Sequence, residues 1–238
     1  MKVLLSILII AAAFAACVKK KMDAPTVSKP VTQSLPDSSV LSYLALGDSY
    51  TIGESVPQAG SYPYQLAAQM GHENHPVNEP KIIAATGWTT DNLISAIAAA
   101  GIDGKKYDIV TLLIGVNDQY QGRSQDNYKI NFQQLLNTAI TFAGGNKKHV
   151  YVISIPDYGV TPFANGNDSV IGPQIDQFNA INKDISTKAG VNYIDITPIS
   201  RQAATDLSLV AGDGLHPSGK MYTLWVAELL PRVTFNLE

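Results

Sequence analysis

The sequence predicts an α/β fold: a three-layer α/β/α sandwich around a sheet of five parallel strands. Two observations carry this prediction. Short runs rich in Val, Ile, Leu and Tyr alternate along the chain with longer segments of helical period, the pattern left by a parallel sheet with helical crossovers. The 238 residues are 45% hydrophobic and 16% charged, enough to bury the core of one large domain.

The first residues stand apart from this alternation. Met1 and Lys2 precede an apolar run that ends in small residues at Ala16, just before Cys17. The run is shorter than the roughly 20 apolar residues of a spanning helix, so residues 1–16 are expected to be a secretory signal peptide. Cys17 is the only cysteine, which leaves it no intrachain disulfide partner. Phe14-Ala15-Ala16-Cys17 resembles the lipobox of bacterial lipoproteins, although Phe14 stands where Leu is usual. That resemblance implies a diacylglyceryl group on Cys17 and a lipid anchor in a bacterial cell envelope, after export across the inner membrane. The alternative is an ordinary small-x-small cleavage site at Ala13-Phe14-Ala15, a periplasmic or secreted protein, and an incidental thiol. Residues 17–38 mix Pro, Ser, Thr and Lys without apolar periodicity and are expected to form a tether, with the folded domain at 39–238.

Within that domain, strands are predicted over 40–46, 81–85, 108–114, 149–155 and 192–196, each bounded by Gly, Pro or Asp. Helices are predicted over 62–70, 90–100, 126–143, 174–189 and 217–230, where Gly71 and Gly101 mark two ends and Pro217 one start. Each helix fits a crossover, giving a flavodoxin-like sheet. The polar stretch 159–172 is expected to be an insertion that shapes the substrate mouth. No internal repeat and no second domain are visible.

A formal charge of −3, with no like-charge block beyond Lys19, Lys20 and Lys21, gives nothing to neutralise a phosphate backbone. Nucleic acid is therefore not an expected partner. His72 and His75 share a polar loop but lack the further ligands a metal site needs, and His149 opens a predicted strand without a partner. No metal or organic cofactor is expected.

In a parallel sheet, functional residues gather on loops beyond the carboxyl ends of the strands. Here those loops carry Gly47-Asp48-Ser49-Tyr50 after the first strand, Thr86-Gly87-Trp88 after the second and Gly115-Val116-Asn117-Asp118 after the third. Asp213-Gly214-Leu215-His216-Pro217 precedes the last helix. Taken singly, each block reads as a turn or helix cap. Together they supply a hydroxyl, a base, a carboxylate to orient the base, and donors for an oxyanion. In this order the four blocks resemble the SGNH/GDSL hydrolase family, and the resemblance runs from about residue 43 to 218. The Gly-x-Ser-x-Gly elbow of ordinary α/β-hydrolases is absent, since Thr51 stands at its second glycine.

The resemblance implies a serine esterase cleaving acyl or acetyl esters of lipids, carbohydrates or small molecules. Ser49 would be the nucleophile, His216 the base and Asp213 its orienting carboxylate, while the Ser49 and Gly87 backbone N–H groups and the Asn117 amide would form the oxyanion hole. Asp48 and Asp118 are expected to hydrogen-bond within their own turns. Tyr50, Trp88 and Tyr120 follow the donor loops and serve either a substrate pocket or packing. Asn167-Asp168-Ser169 fits a glycosylation sequon, which a bacterial-type leader makes accidental. Two rivals stand beside the esterase: a catalytically silent glycan- or lipid-binding lipoprotein on the same fold, and a phosphate-binding flavodoxin-like domain. The second is disfavoured by the acidic Asp48 and the lack of a glycine-rich cradle with a lysine.

Overall fold

Five parallel strands form one sheet in the order β2-β1-β3-β4-β5: β1 (Tyr43–Asp48), β2 (Lys81–Ala85), β3 (Ile109–Leu113), β4 (Val150–Ile153) and β5 (Asn192–Ile194). The computed structural model describes residues 40–237, so the expected signal peptide, tether and Cys17 attachment point lie outside the described residues. The strand order is the flavodoxin-like one. The chain leaves β1 toward β2 and leaves β3 toward β4, in opposite directions, which opens a crevice at the carboxyl ends of these two neighbours. Their register pairs Gly47 with Leu113, while Asp48 pairs with Ala85 on β2.

Burial follows from this order. β1, β3 and β4 are buried at every position, as expected of strands covered on both faces, whereas the edge strands β2 and β5 are only partly buried. The crossovers run through α2 (Tyr62–His72), α3 (Thr90–Ala99), α5 (Gln125–Phe142) and α6 (Asp168–Ala189), and the chain ends on α8 (Gly219–Leu237). α2 packs on α8, while α3, α5 and α6 pack side by side, which assigns the two helix layers to opposite faces of the sheet by the right-handed crossover rule. Three short α-helices lie among the connections, α1 (Ser49–Ile52), α4 (Val116–Tyr120) and α7 (Thr197–Ser200), beside several single 3-10 turns. None of the described helices is long and apolar enough to cross a membrane.

All five predicted strands and all five predicted long helices are present, with four informative shifts at helix ends. α6 starts at Asp168 and runs through Pro173, six residues before the predicted start at Gln174. Gly172-Pro173 reads as a break in the sequence, but the buried Ile171 and Ile175 extend the inward face across it. A Cβ at Gly172 would stand 3.1 Å from the Asp157 carboxylate, so the glycine lets α6 lie close to the β4 loop. At the other end, α8 begins at Gly219 rather than at Pro217, because Pro217 forms an antiparallel bridge with Val210 and Ser218 supplies the cap, its hydroxyl accepting from Met221 N at 3.3 Å. α8 also continues past Pro231 to Leu237, since the fully buried Val233 prolongs its apolar face. His72 closes α2 rather than lying in a loop, so Gly71 falls inside the helix instead of marking its end.

α8 also reaches the core beneath the first loop. Trp225 stacks edge-on against Tyr222 with ring centres 5.0 Å apart, and the Tyr222 hydroxyl donates to the Tyr50 carbonyl at 3.0 Å. The last helix thereby clamps the turn that carries Ser49.

Candidate functional site

Ser49 opens α1 directly after β1, where the chain turns from sheet to helix in one residue. Asp48 makes the turn possible: its Oδ1 accepts from Tyr50 N at 3.0 Å and caps the helix. Gly47 is required for a different reason. A Cβ there would stand 2.1 Å from Thr51 Oγ1 and 2.4 Å from the Leu113 carbonyl, so only glycine lets α1 fold back against β1 and β3. The Ser49 N–H sits at the start of a helix, where backbone donors have no intrahelical acceptor. Among the described residues, the Ser49 hydroxyl makes no hydrogen bond.

The loop after β2 places Gly87 at φ +79°, a left-handed conformation that favours glycine. The loop after β3 places Asn117 in α4, with Nδ2 donating to the Trp88 carbonyl at 3.0 Å. One amide hydrogen is thus committed to holding the β2 and β3 loops together, and the other is left for a ligand. Gly115 precedes it at φ +129°, and a Cβ there would lie 2.6 Å from the Tyr128 ring. Asp118 departs from the within-turn role expected of it. Its carboxylate accepts from Thr90 N at 2.9 Å and from the Thr90 hydroxyl at 2.7 Å, because the buried side chain faces the start of α3. Burial raises its carboxyl above the ordinary range despite these bonds.

Asp213 and His216 lie on a tight loop closed by Ala211 N donating to the His216 carbonyl at 2.7 Å and by the Val210–Pro217 bridge. Gly214 takes φ +75° at its tip. This geometry turns the two side chains toward each other. His216 Nδ1 lies 2.6 Å from Asp213 Oδ2, and Asp213 Oδ1 accepts from the backbone N–H groups of Leu215 at 2.9 Å and His216 at 3.0 Å. Ser55 adds a fourth donor, its hydroxyl meeting Asp213 Oδ2 at 2.7 Å. Partial burial pushes the Asp213 carboxyl up, but these hydrogen bonds outweigh it and hold the group well below the usual carboxylate range.

Ser49, Gly87, Asn117 and His216 line one cleft of about 140 Å³, with Asp213 directly behind His216. Tyr50, buried, contributes its ring edge-on to His216 at 5.5 Å, and Tyr120 lines the outer wall. Trp88 is partly buried against the core and enters the site through its carbonyl. Sequence reasoning missed Tyr158, Phe163, Leu215 and Ser55. Phe163 lies in the stretch expected to shape the mouth, and its N–H donates to the Gly214 carbonyl at 3.0 Å, which fixes that stretch on the Asp213 loop.

The sequence profile of the GDSL-like lipase/acylhydrolase family matches residues 45–224 of this chain. No curated protein matches the sequence. Among solved structures, that of TesA shares 14% identity at a TM-score of 0.65, over 82% of this chain and 99% of the other. The psychrotrophic esterase EstA from Pseudoalteromonas sp., inhibited by monoethylphosphonate, shares 18% identity at a TM-score of 0.61, over 83% and 98%. Axe2, an acetylxylan esterase from Geobacillus stearothermophilus, shares 16% at a TM-score of 0.63, over 81% and 94%. At these identities the likeness is one of fold.

Proposed function

The chain belongs to the GDSL-like lipase/acylhydrolase family and is a carboxylic ester hydrolase, and we propose that it works through an acyl-enzyme on Ser49, with His216 as general base and Asp213 as the group that orients it. The observation that carries this reading is the 2.6 Å contact between His216 Nδ1 and Asp213 Oδ2, set behind a cleft that Ser49, Gly87, Asn117 and His216 line together. An ionised Asp213 keeps the proton on Nδ1, which leaves Nε2 basic and able to accept from the Ser49 hydroxyl. Attack on the ester carbonyl forms a tetrahedral oxyanion. The Ser49 N–H, the Gly87 N–H and the free Asn117 amide hydrogen are the donors we assign to it. His216 then returns the proton to the leaving alcohol, and water, activated by the same imidazole, releases the acid.

Two features favour short acyl groups. The cleft is well under the roughly 300–1,000 Å³ usual for ligand sites, and Val116, Leu215 and aromatic rings line its walls. Acetyl esters of carbohydrates or small molecules are the substrates we favour over long-chain lipids. The test is release of p-nitrophenol from acetyl through longer acyl esters by the whole chain beside Ser49→Ala and His216→Ala. Turnover that is highest on acetyl and abolished in both variants supports the reading, and turnover that survives Ser49→Ala sinks it. No turnover on any ester would favour the silent binding protein instead.

We further propose that the protein is exported and anchored through a lipid on Cys17, on the strength of the apolar leader and the Phe14-Ala15-Ala16-Cys17 box. Metabolic labelling with a palmitate analogue, comparing wild type with Cys17→Ser, tests this: label on the wild type alone supports it, and none on either contradicts it.

A further inference from the structure

A second concavity, of about 400 Å³, shares α4 with the Ser49 cleft: Tyr120 lines the cleft and its neighbour Gln119 lines the groove. The two are also joined by the Tyr158 hydroxyl, on the cleft wall, which donates to Gln119 Oε1 at 3.0 Å. The groove is lined chiefly by Gln119, Arg123, Ser124, Gln125, Gln174 and Gln177, and no carboxylate lines it. Two carboxamide bridges fix its walls, Gln119 Nε2 donating to Gln174 Oε1 and Gln125 Nε2 to Gln177 Oε1, each at 2.6 Å. These bridges leave the amide hydrogens of Gln174 and Gln177 and the carbonyl of Gln125 without a partner among the described residues. Arg123 likewise makes no ion pair among them. On the cleft wall, Tyr120 and Phe163 are 57% and 47% exposed with ring centres 6.1 Å apart, backed by the buried Tyr158.

We propose that this groove holds the alcohol side of the ester and that the alcohol is an oligosaccharide. The inference rests on the ester-hydrolase reading of Ser49 and adds the substrate class. A sugar ring presents hydroxyls that both donate and accept, which is what carboxamides and a guanidinium can answer, and a C–H face that settles on an exposed aromatic ring. An alkyl chain laid in the same groove would strip water from the amides and return no hydrogen bond. A phosphate-bearing headgroup would find one cation, Arg123, in a wall otherwise uncharged. The small cleft takes the acyl group, the aromatic pair takes the sugar that carries it, and the amide groove takes the sugars beyond.

The experiment compares kcat/KM on chemically O-acetylated xylose and glucose with that on their O-acetylated oligomers, for the whole chain, for Tyr120→Ala and for the double variant Gln174→Leu/Gln177→Leu. All three altered side chains are on the surface or at the groove wall, and far-UV circular dichroism checks that the variants keep the fold. The wild type is expected to favour an oligomer over its monomer by about tenfold, the equivalent of one or two good hydrogen bonds, and each variant is expected to bring that ratio toward one. Equal kcat/KM on monomer and oligomer in the wild type, or an oligomer preference untouched in both variants, overturns the proposal. So does a preference for long-chain acyl esters of p-nitrophenol. Failure of the underlying reading looks different: no turnover of p-nitrophenyl acetate, or turnover that survives Ser49→Ala.

Discussion

The Ser55 hydroxyl donates to Asp213 Oδ2 at 2.7 Å, joining positions 158 residues apart in the chain. Ser55 holds φ +66°, a conformation that costs a non-glycine residue about 1–2 kcal/mol. The strained residue therefore ties the loop after α1 to the carboxylate behind His216. Ser55→Ala keeps the strain and loses the bond, and kcat should fall roughly three- to tenfold, in line with about 1 kcal/mol for one hydrogen bond. Ser55→Gly should lose as much activity yet melt at a higher temperature than Ser55→Ala. Full kcat in both variants would show that the bond does not position Asp213.

Asn117 divides its amide between the Trp88 carbonyl and the cleft. Asn117→Ala should lower kcat by about 10²–10³, the usual effect of one lost oxyanion donor, with KM changed much less. Thermal unfolding run alongside separates this from structural damage. A melting temperature that collapses together with kcat would point to the Trp88 bond as the main role.

Gly47→Ala should be among the most damaging single substitutions in the domain. The new methyl would overlap Thr51 Oγ1 and the Leu113 carbonyl, and the latter cannot move without β3. Overpacking of this kind costs about 1–3 kcal/mol or more. Denaturant unfolding should register that loss, together with reduced activity as the Ser49 turn shifts. Near-wild-type values for both would contradict the packing account.

The buried Asp48 carries a signature in pH. Burial pushes its carboxyl up to about 8, the Tyr50 N–H pulling against this and the Asp118 charge adding to it. The unfolded chain releases this proton near the ordinary value of about 4. Between those two values the unfolded state binds fewer protons than the folded one, so the Asp48 contribution makes stability fall as pH rises through the window. Asp48→Asn removes that titration. The wild-type melting temperature should accordingly drop more steeply than that of Asp48→Asn between about pH 4 and about pH 8, and parallel profiles would contradict the assignment.

What could be read in the sequence was what repeats locally. The strand cores and helix faces have periodic apolar patterns, and the four loop blocks fall where the sheet must present them. Residues 159–172 were not legible because their order comes from distant partners: Phe163 N on the Gly214 carbonyl, and Asp157 against the start of α6. In the same way α8 passes Pro231 because Val233 finds a core, which no local propensity records. Ser55 carried no signal at all, since neither its backbone strain nor its reach to Asp213 is a property of neighbouring residues. Asp118 was misread for the same reason, its partner Thr90 lying across the site.

The covalent mechanism we propose depends on Ser49 as its nucleophile. Incubation of the whole chain with an activated alkyl phosphonate ester, followed by peptide mass spectrometry, tests it most directly. A single adduct is expected on Ser49, forming in step with the loss of esterase activity, absent from Ser49→Ala and strongly slowed in His216→Ala. Inactivation with the adduct on another residue, or full esterase activity with no adduct formed, would contradict it.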